Sequence, residues 1–380
     1  HTDHPLVVSA PTGSGKTAIL ELALVRLLTQ RPDNGFRALY MVPLKAICRE
    51  RLEDWQRKTA SLGLHCAELT GDTDEEDSSV LRDAHLIITT PEKWDSATRR
   101  WKDSPGILES LALLLIDEMH MLFFPCRNAL VRKQHHVRRT LVQYMRTSSR
   151  SKTIAVEEDS GYISEPSDVS KPVRWTAPWP RYQCVACLCR FGERLRPVPL
   201  RRLVLGYPCA AGTTDFRFDM SLSYKLPSVI ENYSGGKPAI VFCSTRKGVL
   251  QTAGVVAGAS NLVRDNRTRD QLLRSASTFR DAKLRELVPR GVGFHHAGLC
   301  PEDRSGVESL FREGSLPVLV STSTLAMGVN LPAHLVVVKS TSTYALGAPG
   351  DLYPDLVVDQ MLGRAGRPQV RGPSFIVVRT

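Results

Sequence analysis

Short apolar runs alternate with longer amphipathic stretches along the chain. Leu6-Val-Val-Ser9 precedes a glycine-rich turn, and apolar positions then recur at helical spacing over residues 18–28. Residues 38–43, 85–90 and 111–117 repeat the strand pattern, and residues 45–58 carry a helical one. Brief aliphatic runs bounded by turn residues predict strands buried on both faces, and strands alternating with helices predict a parallel sheet. A second series starts near Phe216, with strands at 239–243, 292–295, 317–321, 335–339 and 375–379 and a helix over 246–256. The pattern predicts an α/β fold of two tandem domains with mostly parallel sheets rather than one large sheet.

Residues 147–190 fit neither series. Pro166, Pro172, Pro178 and Pro180 interrupt them and no period is sustained. Cys184, Cys187 and Cys189 form a Cys-x-x-Cys-x-Cys cluster, but no second ligand couple follows, which argues against zinc. The expected division is therefore 1–145 for the first domain, 146–190 for an anomalous insertion or mistranslated segment, 191–215 for a connection and 216–380 for the second domain.

Composition adds bounds. The 380 residues are 42% hydrophobic and 23% charged, too apolar for a disordered chain, and no run of 18 apolar residues exists to span a membrane as a helix. Nine cysteines without a repeated spacing predict reduced thiols. The sequence opens His-Thr-Asp-His-Pro, without Met or a signal segment, and reads as a fragment that starts inside a domain. The net charge of +11 is concentrated: 16 Lys/Arg and 6 Asp/Glu lie between Arg127 and Arg202, against 34 and 33 elsewhere. Bulk charge is thus weak evidence for nucleic acid.

Local chemistry is more specific. Ala10-Pro-Thr-Gly-Ser-Gly-Lys-Thr17 follows a strand and opens a helix, the context of a P-loop. Ala10, Pro11, Thr12, Gly13, Ser14 and Gly15 would cradle the phosphates of ATP, Lys16 would reach the β/γ-phosphates, and Thr17 would offer its hydroxyl to Mg²⁺. Leu111-Ala-Leu-Leu-Leu-Ile-Asp-Glu-Met-His120 places Asp117 and Glu118 at the end of a buried strand. Asp117 suits Mg²⁺ held through water, and Glu118 suits orienting or deprotonating the attacking water. In Asp359-Gln-Met-Leu-Gly-Arg-Ala-Gly-Arg-Pro368, Gln360, Arg364 and Arg367 fall at i, i+4 and i+7, as on one helix face. The two arginines could meet a γ-phosphate, and Gly363 and Gly366 suggest close packing. A nucleotide placed between the domains would draw them together, and hydrolysis would release them.

With these motifs the sequence resembles superfamily 2 helicases of the Ski2-like branch. Met41–Glu50, Leu69–Thr73 and Thr89–Ser96 look like that family's first-domain strand-contacting motifs. Val241–Gly248, Phe294–Gly298 and Ser321–Ala333 look like its second-domain motifs. Trp94–Trp101 and Cys243–Gly248 are most similar to the meiotic crossover-promoting subfamily. The resemblance covers about 1–120 and 191–380 and implies two RecA-like domains. It implies nucleic-acid contacts by Pro43, Lys45, Thr70, Gly71, Thr90, Pro91, Thr245, Arg246, His296 and Thr324, and nucleotide contacts by Gly328 and Asn330. Loop N–H groups, hydroxyls and basic side chains at strand ends are suited to gripping a single-strand backbone. It further implies ATP with Mg²⁺, single-stranded or branched DNA, 3′ to 5′ movement, the nucleus and meiotic recombination. The family's Ser-Ala-Thr coupling motif is not found after the Asp-Glu-Met-His box, where the anomalous segment lies. An RNA helicase of the same branch and a nucleotide- and nucleic-acid-binding scaffold with little catalysis are the alternatives. A signalling P-loop NTPase would not need the second α/β domain.

Overall fold

The structure, a computed structural model, describes residues 6–10, 13–31, 35–43, 45–70, 83–100, 110–117, 152–157, 187–192, 196–210, 212–259, 262–263, 265–326, 329, 331–345, 348–353, 355–367 and 374–379. It divides into two compact units, His1–Leu195 and Arg196–Thr380.

In the first unit, β1 (Leu6–Ser9), α1 (Lys16–Gln30), β2 (Arg37–Met41), α2 (Lys45–Thr59), β3 (Cys66–Leu69), β4 (Leu86–Thr89), α3 (Pro91–Arg100), β5 (Leu111–Ile116), β6 (Lys152–Glu157) and β7 (Cys187–Arg190) follow in order. The strands form one sheet, β3-β4-β2-β5-β6-β1-β7, and every pairing is parallel. All six residues of β5 are buried, as a strand covered on both faces requires. Tyr40, Leu113 and Leu115 pack with Leu20, Leu24 and Trp55 on one face, while Leu39, Met41, Leu114 and Ile116 pack with Trp94 on the other.

The second unit contains β8 (Leu200–Leu205), α4 (Asp215–Leu222), α5 (Leu226–Ser234), β9 (Ala239–Phe242), α6 (Arg246–Ala259), α7 (Asn266–Ala276) and α8 (Ala282–Leu287). These are followed by β10 (Val292–His295), α9 (Pro301–Arg312), β11 (Val318–Ser321), β12 (Leu335–Val338), β13 (Ser342–Ala345), β14 (Ala348–Leu352), α10 (Asp355–Leu362) and β15 (Ser374–Arg379). Its main sheet, β10-β11-β9-β12-β15-β8, is also parallel throughout, and β13 and β14 form a separate antiparallel pair. The four strands β9 to β12 are fully buried and make one core with α5, α6 and α9.

The structure differs from the sequence reading over 146–215. The segment 146–190 supplies β6, inserted between β5 and β1, and β7, beside β1. The run Lys-Thr-Ile-Ala-Val-Glu has charged ends, so it does not stand out next to proline-rich sequence, but its centre has the β-branched content of a strand. The expected connection 191–215 contains β8, which pairs along its length with β15 at the edge of the second sheet.

Candidate functional site

In the first unit the turn after β1 is set by two glycines in left-handed backbone, Gly13 at φ 80° and Gly15 at φ 89°. A Cβ at Gly15 would meet nothing within 4 Å, so the demand there is conformational rather than steric. Gly15 precedes α1 and has no side chain to cap it, which leaves the first-turn N–H groups to an anion. The Lys16 side chain is buried, and its Nζ donates to the Ala10 carbonyl at 2.7 Å. The Ser14 hydroxyl is buried and has no hydrogen-bond partner among the described residues. A phosphate would satisfy this hydroxyl, the ammonium and the helix start together, so the loop fits the phosphates of a nucleotide.

Asp117 stands directly after β5, buried, with its N–H donating to Met41 O at 3.0 Å. The Tyr40 hydroxyl donates to Asp117 Oδ2 at 2.7 Å. Arg51 of α2 approaches the same oxygen with Nη2 at 3.6 Å, and that nitrogen is also 3.4 Å from Thr17 Oγ1. One nitrogen within reach of both atoms places the Thr17 hydroxyl and the Asp117 carboxylate in one neighbourhood. Hard oxygen donors placed in this way suit Mg²⁺ held partly through water. Burial opposes the charge on Arg51, but Tyr40 and Asp117 outweigh it and hold the guanidinium above its ordinary range. Tyr40 and Arg51 were not singled out from the sequence. The first sits in an apolar strand and the second among the many charged residues of α2.

The strand-contacting candidates of this unit lie at the C-terminal ends of adjacent strands. Pro43 follows β2 and is buried, and Lys45 is exposed at the first position of α2. Thr70 after β3 and Thr90 after β4 are buried, and Pro91 opens α3. Thr89 Oγ1 donates to Leu69 O at 2.7 Å, and Trp94 N donates to Thr90 O at 3.0 Å, so these ends are fixed to one another and to α3.

The second unit repeats this placement. Thr245 Oγ1 accepts from Gly248 N at 2.9 Å and so caps α6, while Arg246 is exposed beside it. His296 is buried, stacks on Phe294 with ring centroids 5.6 Å apart, and accepts at Nδ1 from Gly298 N at 3.1 Å. Burial, and then the charge of Arg246, hold His296 below the ordinary histidine value of 6.5, which favours that neutral acceptor. A Cβ on Gly298 would lie 3.1 Å from Arg246 Nη1 and 3.2 Å from His296 Nδ1, which places the three residues in one cluster. Thr324 is exposed, with its hydroxyl 2.8 Å from that of Thr322 after β11.

The expectation that Gln360, Arg364 and Arg367 share a helix face is corrected. Gln360 is buried inside α10, but the helix ends at Leu362, and both arginines lie beyond it. Gly363 and Gly366 are poor helix formers, and Gly366 adopts φ 71°, which turns the chain. Ala365 then bridges to Ala333. A Cβ at Gly366 would stand 2.7 Å from Leu200 Cδ2, so the expected close packing is real. Arg364 is buried and its guanidinium donates to the carbonyls of Ala326 and Val329, while Arg367 Nε donates to Gly363 O at 3.2 Å. Arg364 thereby ties the turn after α10 to the segment after β11.

Pro11, Thr12, Gly71, Glu118, Gly328, Asn330 and Cys184 lie outside the described residues. Among the described residues no group of three metal-ligating side chains occurs, and no helix is long and apolar enough to cross a membrane. A buried network unmarked in the sequence centres on Lys339 after β12. Its Nζ lies 3.0 Å from Asp219 Oδ2, 3.0 Å from Ser223 Oγ and 3.3 Å from Thr252 Oγ1.

Residues 1–154 match the DEAD/DEAH box helicase family, and residues 223–369 match the helicase conserved C-terminal domain. The probable ATP-dependent DNA helicase HFM1 of Xenopus tropicalis is 42% identical over 396 residues, covering 100% of this chain and 28% of that protein. The ATP-dependent DNA helicase MER3 of Saccharomyces cerevisiae is 34% identical over 376 residues, covering 98% of this chain and 30% of that protein. The chain thus spans less than a third of the length of these two relatives. The crystal structure of the DUF1998 helicase MrfA bound to DNA shares the fold, with a TM-score of 0.67 at 20% identity over 99% of this chain and 46% of that one. Each unit is a RecA-like α/β domain, the two helicase domain matches follow in order along the chain, and the chain is similar over nearly its whole length to the helicases HFM1 and MER3.

Proposed function

We propose that this chain is the motor core of an ATP-dependent DNA helicase that moves 3′ to 5′ and acts on recombination intermediates in the meiotic nucleus. The observation that carries the reading is that Thr17, next to the buried P-loop lysine, and Asp117 lie within reach of one Arg51 nitrogen. Lys16 neutralises charge on the β/γ-phosphates, and the loop from Ala10 to Gly15 holds them. Thr17 and Asp117 would hold Mg²⁺, which supplies charge neutralisation at the phosphoryl oxygens. Glu118 orients the attacking water and takes its proton. Gly328 and Asn330 line the nucleotide, and Gln360, Arg364 and Arg367 stabilise the charge that develops on the γ-phosphate. Arg364 does so partly by holding Ala326 and Val329 in place. Pro43, Lys45, Thr70, Gly71, Thr90 and Pro91 in one unit, and Thr245, Arg246, His296 and Thr324 in the other, hold the backbone of the single strand. DNA as the substrate draws support from the names of HFM1 and MER3.

The test is ATP turnover alone, with single-stranded DNA and with single-stranded RNA, beside Lys16→Ala. Stimulation by DNA and a loss of about 10²-fold or more in Lys16→Ala are expected. Stronger stimulation by RNA would move the substrate to the RNA branch. Turnover no faster than that of Lys16→Ala would leave a binding scaffold without a motor.

A further inference from the structure

Arg51 is a cation within reach of both the Thr17 hydroxyl and the Asp117 carboxylate. Its two contacts, at 3.4 and 3.6 Å, are long, whereas the Tyr40 hydroxyl holds the same carboxylate at 2.7 Å. Its Nε is buried and has no hydrogen-bond partner among the described residues, so the guanidinium is held mainly by charge. The Arg51 side chain is 24% exposed against 6% for Asp117, so it keeps a side toward solvent while the carboxylate does not. A guanidinium and a divalent ion on the same two oxygens would repel strongly in a site with little water. A hydrated magnesium ion held by these oxygens would also compete with Nη2 for the same carboxylate.

We propose that Arg51 is a resident counter-ion of the magnesium seat: it neutralises Asp117 in the protein without nucleotide and must withdraw for Mg²⁺ to bind with nucleotide. The proposal rests on the nucleotide-and-magnesium reading above. It makes α2, whose first residue is the strand-contacting candidate Lys45, sensitive to whether the metal seat is taken. It also gives the protein a lower affinity for metal-bound nucleotide than its donor atoms alone would provide, which favours release after hydrolysis.

The test measures equilibrium binding of a fluorescent ADP analogue to the full chain in EDTA and in saturating Mg²⁺, for wild type, Arg51→Gln, Arg51→Lys and Tyr40→Phe. The expected result is that Mg²⁺ tightens binding to Arg51→Gln by about fivefold more than to wild type, with Arg51→Lys between them. Tyr40→Phe, which removes a positioning contact but no cation, is expected to show no such gain. In a second readout without nucleotide, the melting temperature of Arg51→Gln should fall in EDTA and recover on adding Mg²⁺ further than that of wild type. A Mg²⁺ effect in Arg51→Gln equal to or smaller than in wild type would overturn the proposal and make Arg51 a positioning residue for Asp117. A wild type whose analogue binding is indifferent to Mg²⁺, and unchanged in Thr17→Ala, would overturn the magnesium reading as well.

Discussion

Lys339 carries its charge in the centre of the second unit, with no exposed surface. Its ammonium is balanced by Asp219 and completed by two hydroxyls, Ser223 and Thr252. Removing one partner of such a pair is expensive because the other stays buried and unpaired. Lys339→Met is expected to destabilise the second unit by about 3–5 kcal/mol, read from denaturant unfolding. Combining it with Asp219→Leu should recover part of that loss, and a cost below about 1 kcal/mol for the single change would show that the pair is not coupled. The same logic separates the two arginines after α10. Arg364→Ala strips one buried and one part-buried carbonyl of their donor, so lost ATP turnover in that variant would mix folding with chemistry. Arg367, half-buried, donates Nε to Gly363 O at 3.2 Å within the same turn. In the proposed function Arg367→Ala is expected to lower turnover about 10²-fold or more. Wild-type turnover in that variant would remove Arg367 from the phosphate machinery.

At the start of α6 two neighbours divide the work. Thr245 spends its hydroxyl on Gly248 N, so Thr245→Ala is expected to cost about 1 kcal/mol and Thr245→Ser to restore it. Arg246 is exposed, and Arg246→Ala should leave stability unchanged. In the proposed function it should weaken single-stranded DNA binding and make the salt dependence shallower by about 0.7 in log–log slope. An unaltered slope would exclude a phosphate contact. The elements themselves were unevenly legible. Strands such as β5, β9 and β12 are uninterrupted aliphatic runs because they are covered on both faces, and they were read directly. β3 alternates buried with half-buried positions and β8 mixes half-buried with exposed ones, both at sheet edges, while β6 and β7 are broken by charged or polar residues, so none of these four carried an uninterrupted apolar run. The helix through Arg364 and Arg367 failed for the opposite reason. The 3.6 period was present, but two glycines ended the helix before the second turn of the pattern.

Across the whole molecule, the legible part of the site was the part dictated by phosphate chemistry over a few adjacent residues, as at Lys16 and Thr17. Arg51 and Lys339 were illegible because their partners come from distant elements that only the fold brings near. Protonation is another property that depends on the fold, since three histidines among the described residues are shifted in the same direction. His85 is held below 6.5 by burial and then by His65 and Arg37, His296 by burial and then by Arg246 and His295, and His334 by burial and then by Lys237. In the unfolded chain these rings protonate near the ordinary value, so between that value and their lower folded values the unfolded state binds more protons. Their contribution to stability is therefore complete above the unfolded value and is lost as pH falls below it. The denaturant midpoint is expected to be lower at about pH 5.5 than at about pH 7.5. Because His296 and His334 lie in the second unit, replacing both with Gln should flatten its dependence more than that of the first unit, whose shifted histidine among the described residues is His85. A midpoint that rises on acidification, or a slope untouched by the double replacement, would mean that these rings titrate in the folded protein as they do in the unfolded chain.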